Sequence, residues 1–211
     1  LVRPGTYAEY HLVDERITGR KPASLNNAEA AALPLTSLTA WELLFDRLEV
    51  GDGQGKSLLI VGAGGGVGSI MTQLASKLTG LTVIGTASRS ETVDWVKSLG
   101  ADHVIDHRQP MKQQLQAVGI EAVDYVASLT HTDLHYPQLV DIVAPQGRIG
   151  LIDDPQTLDA LPLKRKAVSL HWELMFTRSL YTTPDIQRQH EILNEVAGLV
   201  DAGTLKTTLG E

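Results

Sequence analysis

The 211 residues include no cysteine, carry a formal charge of −7, and are 43% hydrophobic and 20% charged. This is ordinary globular composition, and it excludes disulfides, thiolate-held zinc and thiol catalysis within these residues. An acidic chain also lacks the basic face that nucleic acid or an anionic membrane requires, although a local basic pocket for one phosphate stays open.

The longest apolar run, Leu58 to Val61, is far too short for a membrane span, and no leader is visible, so a cytoplasmic protein is expected. The chain begins at Leu1 rather than Met and ends at Gly210-Glu211, which reads as a fragment. Gly5 to Val13 predicts a strand. Ser24 to Ala32 starts a helix with Asn26 or Asn27 as its cap. Leu35 to Leu48 predicts a second helix, with Leu38, Trp41, Leu44, Phe45 and Leu48 as its core stripe.

From Lys56 onward, short β-rich runs alternate with helical patterns, as a parallel sheet with crossover helices demands. Strands are expected at Ser57 to Val61, Thr82 to Thr86, His103 to Ile105, Val123 to Ala127, Gly147 to Ile152 and Val168 to Phe176. The first helix runs to about Leu78 and aligns Ile70, Leu74 and Leu78 on one face. Ser90 caps the next, which Gly100 ends; further helices span Pro110 to Val118 and Asp133 to Val143. A last helix opens at Pro184 and stops at Gly203. The fold class is therefore α/β, a doubly wound parallel sheet of six strands in the order 3-2-1-4-5-6.

Between the first strand and its helix lies Gly62-Ala63-Gly64-Gly65-Gly66-Val67-Gly68. Glycines there permit a tight turn and let the backbone approach a diphosphate, which the unpaired amides and positive dipole end of the helix attract. The G-x-G-x-x-G register ending at Gly68 is preferred, with Ala63 in the first glycine's place; starting at Gly62 would put Val67 where the third glycine belongs. Candidate diphosphate residues are thus Ala63, Gly64, Gly65, Gly66, Val67 and Gly68. Gly51 to Ser57 resembles a P-loop, but Val50 stands where its first glycine belongs and the segment precedes a strand, so it reads as a surface turn.

The second strand ends Thr86-Ala87-Ser88-Arg89, with Ala87 where an NAD-binding domain places the carboxylate that holds the ribose hydroxyls. No charge there repels a 2′-phosphate, while Ser88 and Arg89 supply a hydroxyl and a bidentate guanidinium, so NADP(H) is the expected cofactor. His131 and His135 stand four apart, but Thr132 occupies the place of a zincin glutamate and no third ligand is evident, so they read as a polar loop and helix start, with at most one of them near the cofactor. Asp153 and Asp154 point apart on a strand and read as its end near the cleft. Lys164-Arg165-Lys166 reads as a solvated connection, and Trp172 as sheet packing.

Taken together, Gly5 to Tyr10, Ala31 to Trp41, the glycine loop, Ser98 to Asp106 and Val168 to Glu173 resemble the medium-chain dehydrogenase/reductase superfamily, in its quinone-oxidoreductase-like branch, whose members include zinc-type alcohol dehydrogenase-like proteins. The resemblance implies hydride transfer from NADPH to a small-molecule substrate, a quinone or an α,β-unsaturated carbonyl. It places Thr39 near the nicotinamide, and Ser88, Arg89 and His107 around the 2′-phosphate. Leu129, Thr130, Leu151, Ile152 and Asp153 line the ribose and nicotinamide, with Phe176 beside the latter. No proton donor is identified.

Zinc-dependent members have cysteine at the position of Leu35, so a zinc-independent enzyme is expected; zinc-dependent alcohol oxidation, or an NADP(H)-binding module without turnover, is the alternative. The superfamily's catalytic domain extends beyond both ends of this chain. Residues 1–34 then form its remnant, 35–184 the Rossmann domain, and 185–211 the C-terminal helix and the return to the catalytic domain. The sixth strands are expected to pair edge to edge in a homodimer.

Overall fold

A computed structural model describes residues 8–209. By packing, the chain divides into a central unit, 39–173, and a terminal unit made of 1–38 with 174–211. These boundaries fall inside the 35–184 span read from the sequence, because 35–38 and 174–184 group with the terminal elements.

Two short helices come first, α1 at Asn27–Ala31 and α2 at Pro34–Trp41. Asn26 caps α1: its side chain accepts from Glu29 N–H, and the Glu29 carboxylate returns the bond to Asn26 N–H. The helix predicted over Leu35 to Leu48 changes at Trp41 into a π-helical turn, Glu42–Arg47, closed by Leu48 N–H donating to Leu43 C=O at 2.9 Å. Such wider turns insert one residue and rotate the side chains that follow. Here the rotated set includes the fully buried Leu43, Leu44 and Leu48.

The central unit holds a parallel sheet: β1 Ser57–Val61, β2 Thr82–Thr86, β3 His103–Ile105, β4 Val123–Ser128, β5 Val143–Leu151 and β6 Ser169–Trp172, in the order β3-β2-β1-β4-β5-β6. Every pairing is parallel, as crossover helices require. Those helices are α3 Gly66–Leu78, α4 Ser90–Ser98, α5 Met111–Ala117 and α6 Thr132–Ile142. All five residues of β1 are buried, which is what a central strand covered on both faces needs. Leu59, Val61, Ile84, Val126, Leu139 and Ile149 are among the fully buried core.

Several expectations change. Ala8 to Val13 form no strand, and Tyr10 and Leu12 are largely exposed; Gly5, Thr6 and Tyr7 lie outside the described residues. A strand needs a hydrogen-bonding neighbour, and the sheet described here lies wholly in the central unit. Arg89 rather than Ser90 occupies the N-cap of α4, with no side-chain bond.

The strand predicted over Val168 to Phe176 stops at Trp172, where β5 ends opposite it, and the chain turns into a short helix, α7 at Thr177–Tyr181. The last helix, α8, begins at Gln187 rather than Pro184 and runs to Asp201. Lys166 is not a solvated charge. Its ammonium donates to the carbonyls of Val140 (2.9 Å), Asp141 (2.6 Å) and Val143 (2.8 Å), so it neutralises the negative end of α6.

In the terminal unit, Asp201 at the end of α8 accepts from Ala23 N–H, Ser24 N–H and the Ser24 hydroxyl. These bonds hold the Asp201 carboxyl below its usual range. An apolar cleft of about 430 Å³ in this unit is lined by Ile17, Pro22, Ala30, Leu33, Leu193 and Val196; no glycine-loop residue borders it.

Candidate functional site

The glycine loop sits where the strand order reverses, between β1, flanked by β2, and β4, the position at which an open parallel sheet places a ligand crevice, beyond the C-terminal ends of its strands. Gly62 adopts φ +84, a left-handed conformation that few side chains tolerate. Its N–H donates to the Thr86 hydroxyl at 3.0 Å, tying the loop to the end of β2. Gly65 caps α3, and the first intrahelical bond runs from Ser69 N–H to Gly65 C=O at 2.8 Å. The amides of Gly66, Val67 and Gly68 therefore stand outside the helical ladder at the positive end of the dipole.

Steric room separates the glycines by role. A Cβ on Gly68 would lie 2.3 Å from Gly62 O and 2.7 Å from Ala63 Cα, both backbone atoms that cannot yield. A Cβ on Gly65 would meet nothing closer than 3.4 Å, and Gly65 is exposed. Gly68 thus serves close packing, and Gly65 leaves the approach to the loop open, the division of labour a diphosphate-binding turn requires. Ala63 is fully buried, and its methyl occupies space opposite Gly85 of β2, where a Cβ would stand only 2.9 Å away. The alanine in the first glycine's place is matched by a glycine on the neighbouring strand.

The other predicted residues fall into groups. A Cβ on Gly62 would reach Thr130 Cγ2 at 2.9 Å and Leu129 Cβ at 3.8 Å, so the loop after β4 lies against the glycine turn. Leu129 N–H donates to Val61 C=O at 3.2 Å, and Ile152 N–H to Ser128 C=O at 3.4 Å, placing the ends of β1, β4 and β5 side by side. Leu151 is fully buried. Asp153 accepts from Thr132 N–H (2.9 Å) and from the Thr132 hydroxyl (2.5 Å), which in turn shares a hydrogen bond with Ser128 at 2.7 Å. Its carboxylate therefore caps α6. Thr39 is buried within α2, and Phe176, in the terminal unit, is partly exposed at the N-cap of α7.

At the other end of the crevice Ser88 is half-buried and Arg89 exposed. A second arginine, overlooked in the sequence, joins them: Arg108 donates to Ser88 C=O at 3.0 Å and forms an ion pair with Asp106 at 2.7 Å. The Arg108 guanidinium draws the Asp106 carboxyl down to about 2. Ala87 N–H donates to Ile105 C=O at 3.0 Å, so residues 105–108 run beside the end of β2 and bring His107 to that corner. The D-H-R run after β3 was the available signal for Arg108. Thr86→Val should cost about 1–2 kcal/mol by stranding the Gly62 amide, measured by urea denaturation; an unchanged midpoint would remove Thr86 from the loop's support.

Residues 66–194 match the family described as zinc-binding dehydrogenase. The chain belongs to that family. The zinc-binding dehydrogenases fall within the medium-chain dehydrogenase/reductase superfamily, in agreement with the resemblance drawn from the motifs. A zinc-type alcohol dehydrogenase-like protein of Staphylococcus aureus (strain MSSA476) is 39% identical over 213 residues, covering 98% of this chain and 63% of its own length.

A crystal structure from Rhizobium etli CFN 42, named as a zinc-dependent alcohol dehydrogenase protein, superposes with a TM-score of 0.95 at 58% identity, covering all of this chain and 63% of its own. The 2-methylene-furan-3-one reductase of Solanum lycopersicum is 44% identical over 103 residues, 49% of this chain and 26% of that enzyme. This dehydrogenase-family chain therefore spans about 63% of the curated relative that it matches along nearly its whole length.

Proposed function

We propose that this chain carries the nucleotide-binding part of an NADP(H)-dependent oxidoreductase that reduces a quinone or an α,β-unsaturated carbonyl without zinc. The observation that carries the reading is a diphosphate-ready glycine turn joined, through Thr86, to a strand end that bears Ser88 and Arg89 and lacks a carboxylate at Ala87. The glycine turn would hold the diphosphate through the amides of Gly66, Val67 and Gly68. Ser88 and Arg89 would hold the 2′-phosphate, whose charge Arg89 matches as a planar two-pronged donor. A reduced nicotinamide, when bound, supplies the hydride; the chain's residues orient it and keep water away. Thr39, Leu129, Thr130, Leu151 and Ile152 would form that wall.

Leu35 supports zinc independence, since its side chain has no lone pair to offer a metal where zinc-dependent members have cysteine. The tomato reductase supports an enone-type substrate over an alcohol. Arg89→Ala should weaken NADPH at least tenfold, on the scale of one lost charge-assisted contact, and leave NADH nearly unchanged. Fluorescence titration with both dinucleotides decides it: equal affinity of the parent protein for NADH and NADPH would defeat the cofactor assignment. Oxidation of NADPH on adding a quinone, followed by nicotinamide absorbance in the full-length protein, supports turnover; tight binding without oxidation favours a binding module.

A further inference from the structure

His107 and His135 meet edge to face with ring centroids 5.7 Å apart, one from the segment after β3 and one from the first turns of α6. His135 is 4% exposed, and among the described residues its Nδ1 has no hydrogen-bond partner. A buried imidazole nitrogen left unsatisfied costs free energy, so such an atom is a reason to look for a ligand or a proton. His107 stands between Asp106 and Arg108, and Arg108 is bonded to the carbonyl of Ser88. The imidazole pair is therefore continuous with the corner that Ser88 and Arg89 form.

We infer that His135, packed against His107, acts as a proton-linked selectivity element: it takes up a proton when the 2′-phosphate of NADP(H) binds, so the phosphorylated cofactor is favoured over NAD(H) by a charge that this ring lacks in the free protein. This rests on the cofactor reading above. The groups around the pair are His131 at the N-cap of α6, Asp106 and Arg108 on the β3 segment, and Asp153 capping the same first turn. Burial, His107 and His131, in that order, hold His135 below the usual histidine range, so it is neutral in the free protein near neutral pH. A dianionic phosphate at this corner acts in the opposite sense, favouring the protonated ring through Coulomb attraction and a donated hydrogen bond. Asp106 does not substitute for it, because Arg108 already engages both of its oxygens.

The test is calorimetric titration of the protein with NADP⁺ and with NAD⁺ at pH 7.5 in buffers of different ionisation enthalpy. At that pH the free 2′-phosphate, with a second pKa of about 6, is already a dianion, so uptake reports the protein. NADP⁺ should bind with net proton uptake and NAD⁺ with none; His135→Gln should abolish the uptake and narrow the NADP⁺ over NAD⁺ preference. Tight NADP⁺ binding with heats independent of buffer overturns this inference and leaves the cofactor assignment standing. Failure of NADP⁺ to bind where NAD⁺ does overturns both. Uptake retained in His135→Gln, still folded by circular dichroism, also overturns the histidine assignment.

Discussion

Gly68→Ala should abolish measurable dinucleotide binding and destabilise the protein by roughly 1–3 kcal/mol, the usual cost of forcing a methyl group into a filled site. The atoms in its way are Gly62 O and Ala63 Cα at 2.3 and 2.7 Å, so relief requires the whole turn to move off β1. Gly65→Ala provides the contrast. Its Cβ has room and its φ of −77 suits any residue, so stability should hold while the methyl obstructs the approach of a diphosphate. Chemical denaturation and fluorescence titration of both variants separate packing from access. Equal stability of the two would mean that the turn is looser than its geometry implies.

The second large effect concerns a buried acid pair. Glu173 follows β6 with its side chain wholly buried, Glu42 of the π-helical turn is also buried, and Arg47 from the same turn bonds Glu173 at 2.8 Å. Burial and then the neighbouring Glu42 carboxyl push Glu173 up to about 8. Between its ordinary range near 4.5 and about 8, the folded protein keeps a proton that the unfolded chain has released, so stability is fullest at the acid end and falls as pH rises through the window. Glu173→Gln should flatten that slope.

Arg47→Met removes the cation from the buried Glu173 carboxyl and should cost about 3 kcal/mol at pH 8, the scale for breaking a buried ion pair, and less at pH 5, where the acid form is retained. Urea midpoints at the two pH values are the measurement. Parallel pH profiles for the parent and Glu173→Gln would show that Glu173 titrates as an ordinary carboxylate.

Much of the central sheet could be read from the chain because β1, β2 and β3 are short β-rich runs bounded by turn residues and have the predicted ends; β5, which carries Pro145, Gln146 and Arg148, begins at Val143 rather than Gly147. The glycine loop was legible for the same local reason: its shape depends on which residues lack a Cβ. What escaped depends on distant partners. Nothing near Glu42 announces a π-helical turn, since its burial with Glu173 joins residues far apart in sequence. Val168 to Phe176 is uniformly β-like, yet β6 can pair only as far as β5 extends, and it stops opposite Leu151. Lys166 looked solvated because the carbonyls it caps come from another element. Thr86, Arg108 and His135 have the same character, being ordinary residues given a task by what the topology sets beside them.

The methyl group of Ala63 lies in a space shared with Gly85 and Val96. Restoring glycine at 63 would therefore not improve the turn; it would open a void the size of a methyl group, and β2 and α4 would both have to change to fill it. Three positions from three elements thus vary as one steric unit. Any redesign of this cofactor crevice that scores the loop residue by residue will misjudge which substitutions it accepts.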